Sequence, residues 1–241
     1  MASTTHFDYL VIGGGSGGMA SGRRAAMLGA KVGLVESGRL GGTCVNVGCV
    51  PKKVMWTAAT INEFIHDAKD YGFKLGDVAF DWATIKKARD EYILRLNKIY
   101  ETNMDKEKVK PVIVIVKIIF FIFSIKVTYI KGTAKFTGPN KVDVDGQEYT
   151  ADHVLIATGG APILPTGFPG AEYGISSDDF FLLEHQPKKA VVVGAGYIAV
   201  EMSGIFHALG TETTLVVRYD SPLRNFDKII HENLVEEIQN R

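Results

Sequence analysis

The sequence predicts an α/β protein of doubly wound parallel-sheet domains, the first with a β-meander and the second truncated. Residues 9–36 and 190–217 each read as strand, glycine-rich turn, helix and strand. Short apolar strands that alternate with helices indicate parallel sheets, because a parallel pair needs a long crossover connection. Between these units, residues 127–160 alternate and contain turn signals, which is typical of a β-meander.

Composition excludes several functional classes. The 241 residues carry 27 basic and 27 acidic side chains, and this balance argues against nucleic acid or an anionic membrane as partner. Two cysteines are too few for a disulfide-stapled scaffold or a four-cysteine zinc site, so no metal is expected. The first residues do not resemble a signal peptide, so we expect a cytoplasmic protein. In that reducing compartment a cysteine pair is more often redox-active or metal-binding than structural.

The first strand–helix–strand unit contains a dinucleotide fingerprint. A strand at 9–12 leads into Gly13, Gly15 and Gly18, a helix follows to about residue 28, and the second strand ends at Glu36. Glycines let the backbone approach a pyrophosphate at the helix N-terminus, and the carboxylate at the strand end accepts hydrogen bonds from ribose hydroxyls. The spacing predicts a dinucleotide site, with a purely structural glycine turn as the open alternative.

The second unit repeats this pattern with a different strand end. Gly194, Gly196 and Ala199 follow a strand at 190–193, but the next strand ends near Arg218 and Arg224 rather than at a carboxylate. Guanidinium groups bind a 2′-phosphate, so this site should prefer NADP(H) over NAD(H), unless both arginines are solvated surface charge. One Rossmann-like site ends in a carboxylate and the other in arginines, and this pair of sites suggests that FAD and NADPH are used together.

The remaining elements follow from periodicity and turn residues. They are a turn at 41–49, a helix from Pro51 past residue 65, a helix at 81–100, meander strands at 127–130 and 141–144, a buried strand at 153–157 and a terminal helix at 227–239. We expect an FAD-binding domain at 1–187 and the start of an NADPH-binding domain at 188–241. Residues 111–126 are an anomalous apolar insert within the first domain.

The two cysteines are five residues apart, at Cys44 and Cys49. In a regular helix their Cα atoms would be ~8.6 Å apart, whereas a disulfide requires ~4.4–6.8 Å. Bridging them needs a break, which Gly48 and the backbone before Pro51 can provide. A disulfide that closes such a small, strained loop is readily reduced. Lys52, near the predicted helix start, favours the thiolate form of Cys49. Two inert thiols or half a metal site remain alternatives.

The segment 41–53, Gly-Gly-Thr-Cys-Val-Asn-Val-Gly-Cys-Val-Pro-Lys-Lys, resembles the redox-active segment of the pyridine nucleotide–disulfide oxidoreductases, and residues 54–56 are most similar to the glutathione reductases among them. The resemblance covers nearly the whole chain apart from 111–126. It implies that Cys44 attacks glutathione disulfide, that Cys49 faces the flavin, and that Lys52 pairs with Glu201 near flavin N5.

The same resemblance implies further contacts. The FAD contacts would include those of the first glycine loop and its surroundings: Gly13, Gly15, Ser16, Gly17, Gly18, Glu36, Thr43, Ala134, Thr158 and Gly159. The NADPH contacts would be Gly194, Ala195, Gly196, Tyr197, Ile198, Arg218 and Arg224, with Tyr197 as a flap over the flavin. Arg23 and Tyr100 match positions that contact glutathione.

The chain departs from this family in two ways. The insert at 111–126 resembles a translated intron. Family members are homodimers about twice this length, and their interface domain has no counterpart here, so we expect negligible turnover from this chain alone. Within the class, the alternatives are a thioredoxin or trypanothione reductase, then an NAD-dependent dihydrolipoamide dehydrogenase. Outside it, the alternative is a non-catalytic flavin-binding remnant.

Overall fold

A computed structural model describes residues 4–105 and 127–240. The anomalous insert at 111–126 lies outside these residues. The chain forms two compact units, the first comprising Met1–Val50 and Glu91–Ala161 and the second Pro51–Asp90 and Pro162–Arg241. The division at residues 187 and 188 into two cofactor domains stays a prediction.

The described helices and strands alternate through most of the chain. In order they are β1 (Thr5–Ile12), α1 (Ser16–Met27), β2 (Val32–Glu36), α2 (Gly42–Val47), α3 (Cys49–Asp67), α4 (Trp82–Asp105), β3 (Val127–Lys131), β4 (Ala134–Gly138), β5 (Lys141–Val144), β6 (Gln147–Ile156), α5 (Ser177–Phe180), β7 (Lys189–Val193), α6 (Tyr197–Ala208), β8 (Glu212–Val216) and α7 (Lys228–Asn240). Short 3₁₀ turns lie at Ala68–Tyr71 and Ala171–Tyr173.

A six-stranded mixed sheet forms the centre of the first unit, in the order β3-β2-β1-β6-β5-β4. The first four strands in this order are parallel, whereas β5 pairs antiparallel with β6 on one side and with β4 on the other. Helix α1 crosses between β1 and β2, which gives the βαβ unit that the first fingerprint predicted. The α/β, Rossmann-like fold class is confirmed.

The predicted meander is wrong at its first strand. Strand β3 pairs in parallel with β2, with Val127 opposite Val32, at the edge of the sheet farthest from β4. Both valines are almost fully buried in one apolar cluster with Leu34, and this burial selects the pairing. Among the strands of the described residues, the antiparallel meander therefore consists of β4, β5 and β6. The strand at 153–157 was predicted to be buried, but this is wrong at the end of β6, where Ile156 is 64% exposed.

The sheet of the first unit is covered on both faces. Val11 of β1 packs in the cluster with Met19 of α1, whereas its neighbours Leu10 and Ile12 pack in a second cluster with Val142 of β5. Burial on both faces explains why β1 and β2 are nearly continuous apolar runs rather than alternating ones. The carboxyl ends of these strands are thereby fixed where the first glycine loop begins.

The second unit contains the repeated strand–helix–strand element. Strands β7 and β8 pair in parallel, and α6 connects them with Ile205 fully buried. An aromatic group packs nearby within the same unit: Trp82 lies against Phe180 and Phe206, with ring centroids 6.0 and 6.2 Å away. The repeat predicted at 190–217 is therefore present, and within residues 4–105 and 127–240 its sheet consists of β7 and β8.

Candidate functional site

The first glycine loop is shaped by close backbone approaches. A Cβ atom at Gly13, where φ is +110°, would lie 2.2 Å from the carbonyl oxygen of Ala157. At Gly18, a Cβ atom would lie 1.9 Å from the carbonyl oxygen of Gly13. Only glycine fits at these two positions, so the loop turns tightly into α1, whose N-cap is Gly15. The free N–H groups at this helix end form the kind of site that binds a phosphate.

Glu36 lies beside this loop at the end of β2. Its carboxylate accepts hydrogen bonds from the N–H groups of Gly14 and Gly38, both 2.7 Å long. Its main-chain carbonyl accepts a third from Gly132, 3.0 Å long, two residues before Ala134 at the start of β4. The carboxylate oxygens keep further lone pairs, so the predicted role as a ribose acceptor fits this position.

The cysteine loop consists of two helices separated by Gly48. Residues 41–49 were predicted as a turn, but α2 occupies Gly42–Val47, and α3 begins at Cys49 rather than at Pro51. A Cβ atom at Gly48 would lie 2.8 Å from the Thr43 carbonyl oxygen. The break at Gly48 was predicted correctly, and glycine is required there because two stretches of backbone meet.

Cys44 and Cys49 are free thiols in the described chain, the first half-buried and the second exposed. Burial raises the pKa of Cys44, and a hydrogen bond with Cys49 and the charge on that group raise it further. A hydrogen bond with Ser16 and one from the backbone of Cys49 act in the opposite direction, but the net pKa stays above its ordinary value. The surroundings of Cys44 therefore favour its protonated form while Cys49 is also reduced.

The cysteine loop packs directly on the first glycine loop. The N–H of Gly41 donates to the carbonyl of Gly14, 2.8 Å away, and a Cβ atom at Gly42 would lie 2.8 Å from Cα of Gly15. The hydrogen bond between Ser16 and Cys44 adds a side-chain contact. A thiol of the pair thus lies beside the residue that begins α1.

Two buried amides, which sequence reasoning missed, hold the cysteine loop in place. Asn46 donates to the carbonyls of Gly42 (2.8 Å) and Leu40 (3.3 Å), while Asn97 of α4 donates to Leu40 (2.9 Å) and to Oδ1 of Asn46 (3.0 Å). Both asparagines are only 8% exposed. The signal was present as a polar side chain between two valines, at Val45-Asn-Val47.

The other predicted residues of the first unit lie around these loops or on α1 and α4. Thr158 and Gly159 follow the end of β6, and the backbone nitrogen of Thr158 lies close to Gly13. Thr43 is an exposed residue of α2, and Arg23 is half-buried on α1. Tyr100 packs against the cluster that contains Val11, so its ring contributes to the core. The proposed cofactor and glutathione contacts of these residues stay predictions.

The second glycine loop has a tight turn at Gly194, where φ is +151° and the N–H donates to the Val216 carbonyl (3.0 Å). Gly196 is the N-cap of α6, and Tyr197 and Ile198 follow as exposed residues of its first turn. The geometry again leaves the N–H groups of a helix end free for an anion.

Arg218 and Arg224 are brought together around one aromatic ring. Their guanidinium carbons lie 5.8 and 3.9 Å from the ring centroid of Tyr219. Leu223, just before Arg224, donates its N–H to the carbonyl of Ala195 in the glycine loop, 2.8 Å away. The segment that carries Arg224 is thereby attached to the second fingerprint.

Lys52 and Glu201 form the predicted ion pair. Nζ of Lys52 lies 2.7 Å from Oε1 of Glu201, and the two side chains are 26% and 30% exposed. Lys52 lies in the first turn of α3 and Glu201 in α6. The contact between them is observed, whereas the position of the pair beside a flavin stays a prediction.

Two features are absent from residues 4–105 and 127–240. Within these ranges, no group of three or more His, Cys, Asp or Glu side chains is placed to hold a metal ion. None of the helices described there is both long and apolar enough to span a bilayer.

Comparison with known proteins gives two results. Residues 7–241 match the family described as pyridine nucleotide-disulphide oxidoreductase. Glutathione reductase from Schizosaccharomyces pombe (strain 972) is 52% identical over 97% of this chain and 48% of its own length. Glutathione reductase from Yarrowia lipolytica (strain CLIB 122) is 50% identical over 98% of this chain and 49% of its own length. The chain thus spans about half the length of these curated relatives.

Proposed function

Because the chain belongs to the pyridine nucleotide-disulphide oxidoreductase family, we propose that it serves the NADPH-dependent reduction of glutathione disulfide through FAD and a Cys44–Cys49 redox disulfide. The observation that carries this proposal is the packing of the cysteine loop on the first glycine loop, where Ser16 contacts Cys44. The two glutathione reductases that match the chain support the choice of substrate.

FAD fits the first glycine loop. The cradle at Gly13 and Gly18 leaves no room for a Cβ atom, and the α1 N-terminus and Glu36 supply groups for pyrophosphate and ribose. Thr43, Ala134, Thr158 and Gly159 complete the proposed set. When bound, FAD supplies the transfer of two electrons from NADPH to the cysteine disulfide.

The two thiols perform the exchange with substrate once they are reduced. Cys44 loses its proton and attacks one sulfur of glutathione disulfide, which forms a Cys44–glutathione disulfide and releases one glutathione thiolate. The thiolate of Cys49 then attacks Cys44, which restores the protein disulfide and releases the second glutathione. Each cycle consumes two electrons and two protons and gives two thiols. The raised pKa of Cys44 means that a base must accept its proton.

The ion pair and the arginines complete the assignment. We assign Lys52, held by Glu201, to a fixed positive charge beside the flavin. Arg218 and Arg224 would bind the 2′-phosphate of NADPH, with Gly194–Ile198 at its pyrophosphate and Tyr197 as the flap. Arg23 and Tyr100 would contact glutathione. This proposal keeps the domain division at 187 and 188, a cytoplasmic location and a homodimeric full-length enzyme.

The test separates flavin binding from cysteine chemistry. The purified chain should retain FAD, and a dithionite titration should take up two electrons more than bound FAD requires, with a long-wavelength absorbance band. Cys44→Ser and Cys49→Ser should abolish the extra uptake, and Ser37→Ala, an exposed control outside the cysteine loop, should not. We expect negligible steady-state turnover from this chain.

Several results would contradict the proposal in distinct ways. A chain that retains FAD but takes up no extra electrons would be a flavin-binding remnant. Reduction by NADH in preference to NADPH would indicate the dihydrolipoamide dehydrogenase alternative. Faster reoxidation of the reduced pair by thioredoxin or trypanothione disulfide than by glutathione disulfide would identify another substrate.

A further inference from the structure

An aromatic ring contacts both arginines of the proposed 2′-phosphate site. Tyr219 follows Arg218 directly, and its ring centroid lies 3.9 Å from the guanidinium carbon of Arg224. The same centroid is 5.8 Å from that of Arg218. Because the ring is 48% exposed and at the surface of its unit, core packing alone does not account for its position.

The backbone around the arginine nearest the ring is held in one conformation. Leu223 has a φ of +55°, a region that a branched side chain rarely adopts. Its N–H donates to Ala195 (2.8 Å), and its carbonyl accepts the N–H of Phe226 (2.8 Å), while Pro222 is buried. The main chain of Arg224 is therefore fixed against the second glycine loop, and only the long side chain remains to be oriented.

Stacking on an aromatic face orients a guanidinium without using its hydrogen bonds. The five N–H groups of arginine lie in the plane of the group, so a ring against one face leaves them directed outward. An unstacked arginine side chain loses rotamer freedom when it binds an anion, and a stacked one has already lost part of it. The guanidinium carbon of Arg224 lies over the ring at 3.9 Å, a distance that suits such stacking, whereas that of Arg218, at 5.8 Å, lies near the outer limit of a cation–π contact.

We propose that Tyr219 is a positioning residue that orients Arg224, and more weakly Arg218, toward a phosphomonoester on the adenosine 2′-oxygen. The ring acts through the arginines and contributes to the preference for NADPH over NADH. This inference rests on the proposed function, because that function assigns the two arginines to the 2′-phosphate. The phenol hydroxyl has no part in it.

The test measures binding of adenosine 2′,5′-bisphosphate and of 5′-AMP to the whole chain by calorimetry, which needs no flavin and no turnover. Tyr219→Leu should weaken binding of the bisphosphate roughly 2- to 5-fold, the range expected for an exposed cation–π contact of about 0.5–1 kcal/mol. Binding of 5′-AMP should stay unchanged. Tyr219→Phe keeps the ring and should bind both ligands as the wild type does.

Two further variants make the outcome decisive. In an Arg224→Met background, Tyr219→Leu should have much less effect than in the wild type, since the main partner of the ring is then absent and only the weaker contact with Arg218 remains. Additive losses, or a Tyr219→Phe variant as weak as Tyr219→Leu, would overturn the positioning role. Tyr219→Met replaces the leucine variant if the latter does not fold, as judged by its circular dichroism.

The same binding measurements distinguish a wrong NADPH preference from a wrong role of Tyr219. A wild-type chain that binds the bisphosphate no better than 5′-AMP would overturn both that preference and the role of the ring. If the wild type prefers the bisphosphate and Arg224→Met removes the preference while Tyr219→Leu keeps it, only the positioning role is wrong.

Discussion

Two neighbouring glycines of the first loop should respond in opposite ways to the same added methyl group. A Cβ atom at Gly18 would lie 1.9 Å from the carbonyl oxygen of Gly13 and 3.0 Å from Cγ1 of Val11. A Cβ atom at Gly17 would have no atom within 4 Å. Gly17→Ala therefore controls for the chemistry of the substitution, and Gly18→Ala tests the close approach of α1 to β1.

The magnitudes follow from these distances. To bring the new contact at Gly18 from 1.9 Å to an ordinary 3.4 Å, α1 must move by about 1.5 Å, and the obstacle is backbone that cannot rotate away. Overpacking costs about 1–3 kcal/mol, and we expect Gly18→Ala at the upper end of this range because the obstacle is backbone. At Gly17, alanine restricts the unfolded chain and favours the helix, which stabilises the fold by about 0.5–1 kcal/mol. The two variants should differ by about 4 kcal/mol.

Urea unfolding followed by circular dichroism measures this difference through the midpoint and slope of each transition. Gly18→Ala should unfold at a much lower urea concentration than the wild type, or be unfolded without urea, and Gly17→Ala at a slightly higher one. Equal unfolding free energies for the two variants would refute the reasoning, because the helix would then have room that the structure denies it.

Three further predictions concern titratable groups. Cys49→Ala should lower the pKa of Cys44, since a hydrogen bond and a charge that raise it disappear, and the pH dependence of iodoacetamide alkylation measures the change. The buried side chain of Arg89 donates a hydrogen bond to the carbonyl of Phe181 (2.6 Å), so Arg89→Met should reduce the unfolding free energy by about 1–3 kcal/mol because this carbonyl loses its donor. An unchanged urea midpoint would contradict this. Burial alone would raise the pKa of Asp90, but hydrogen bonds from Lys86 and Arg89 outweigh it and lower the pKa. The stability that Asp90 contributes should thus be fully present above its unfolded pKa of about 3.9 and be lost as the pH falls through the lower folded pKa. Asp90→Asn should therefore weaken the fall of the urea unfolding midpoint at acidic pH.

The parts of the fold that sequence predicted are those set by local chemistry. The positions of Gly13 and Gly18 follow from the spacing of a strand, a tight turn and a helix, all within a few residues. Glu36 ends the next strand, and its distance along the chain is fixed by the length of one helix. The break at Gly48 follows in the same way, from the distance that two nearby cysteines must cover.

The errors fall where distant residues decide the structure. Helix α2 is too short to form unaided, and the amides of Asn46 and Asn97 stabilise it across an interval of 51 residues. The alternating pattern at 127–130 predicts a strand but not its neighbour in the sheet, and the burial of Val127 against Val32 and Leu34 decides that β3 pairs with β2. Nothing in the local sequence indicates the role of Arg89, because arginine is rarely buried and its carbonyl partner, Phe181, is 92 residues away.

The asparagine amides that hold the cysteine loop bear on the proposed redox cycle. Because Asn46 binds main-chain carbonyls on both sides of the Gly41 turn, the loop keeps its shape without a sulfur–sulfur bond. The two reduced sulfurs then remain neighbours, and each meets the other at an effective concentration that no dissolved thiol can reach. If the proposed function holds, a mixed disulfide at Cys44 would be resolved by Cys49 of the same chain, and the thiol released first would compete poorly for the return reaction.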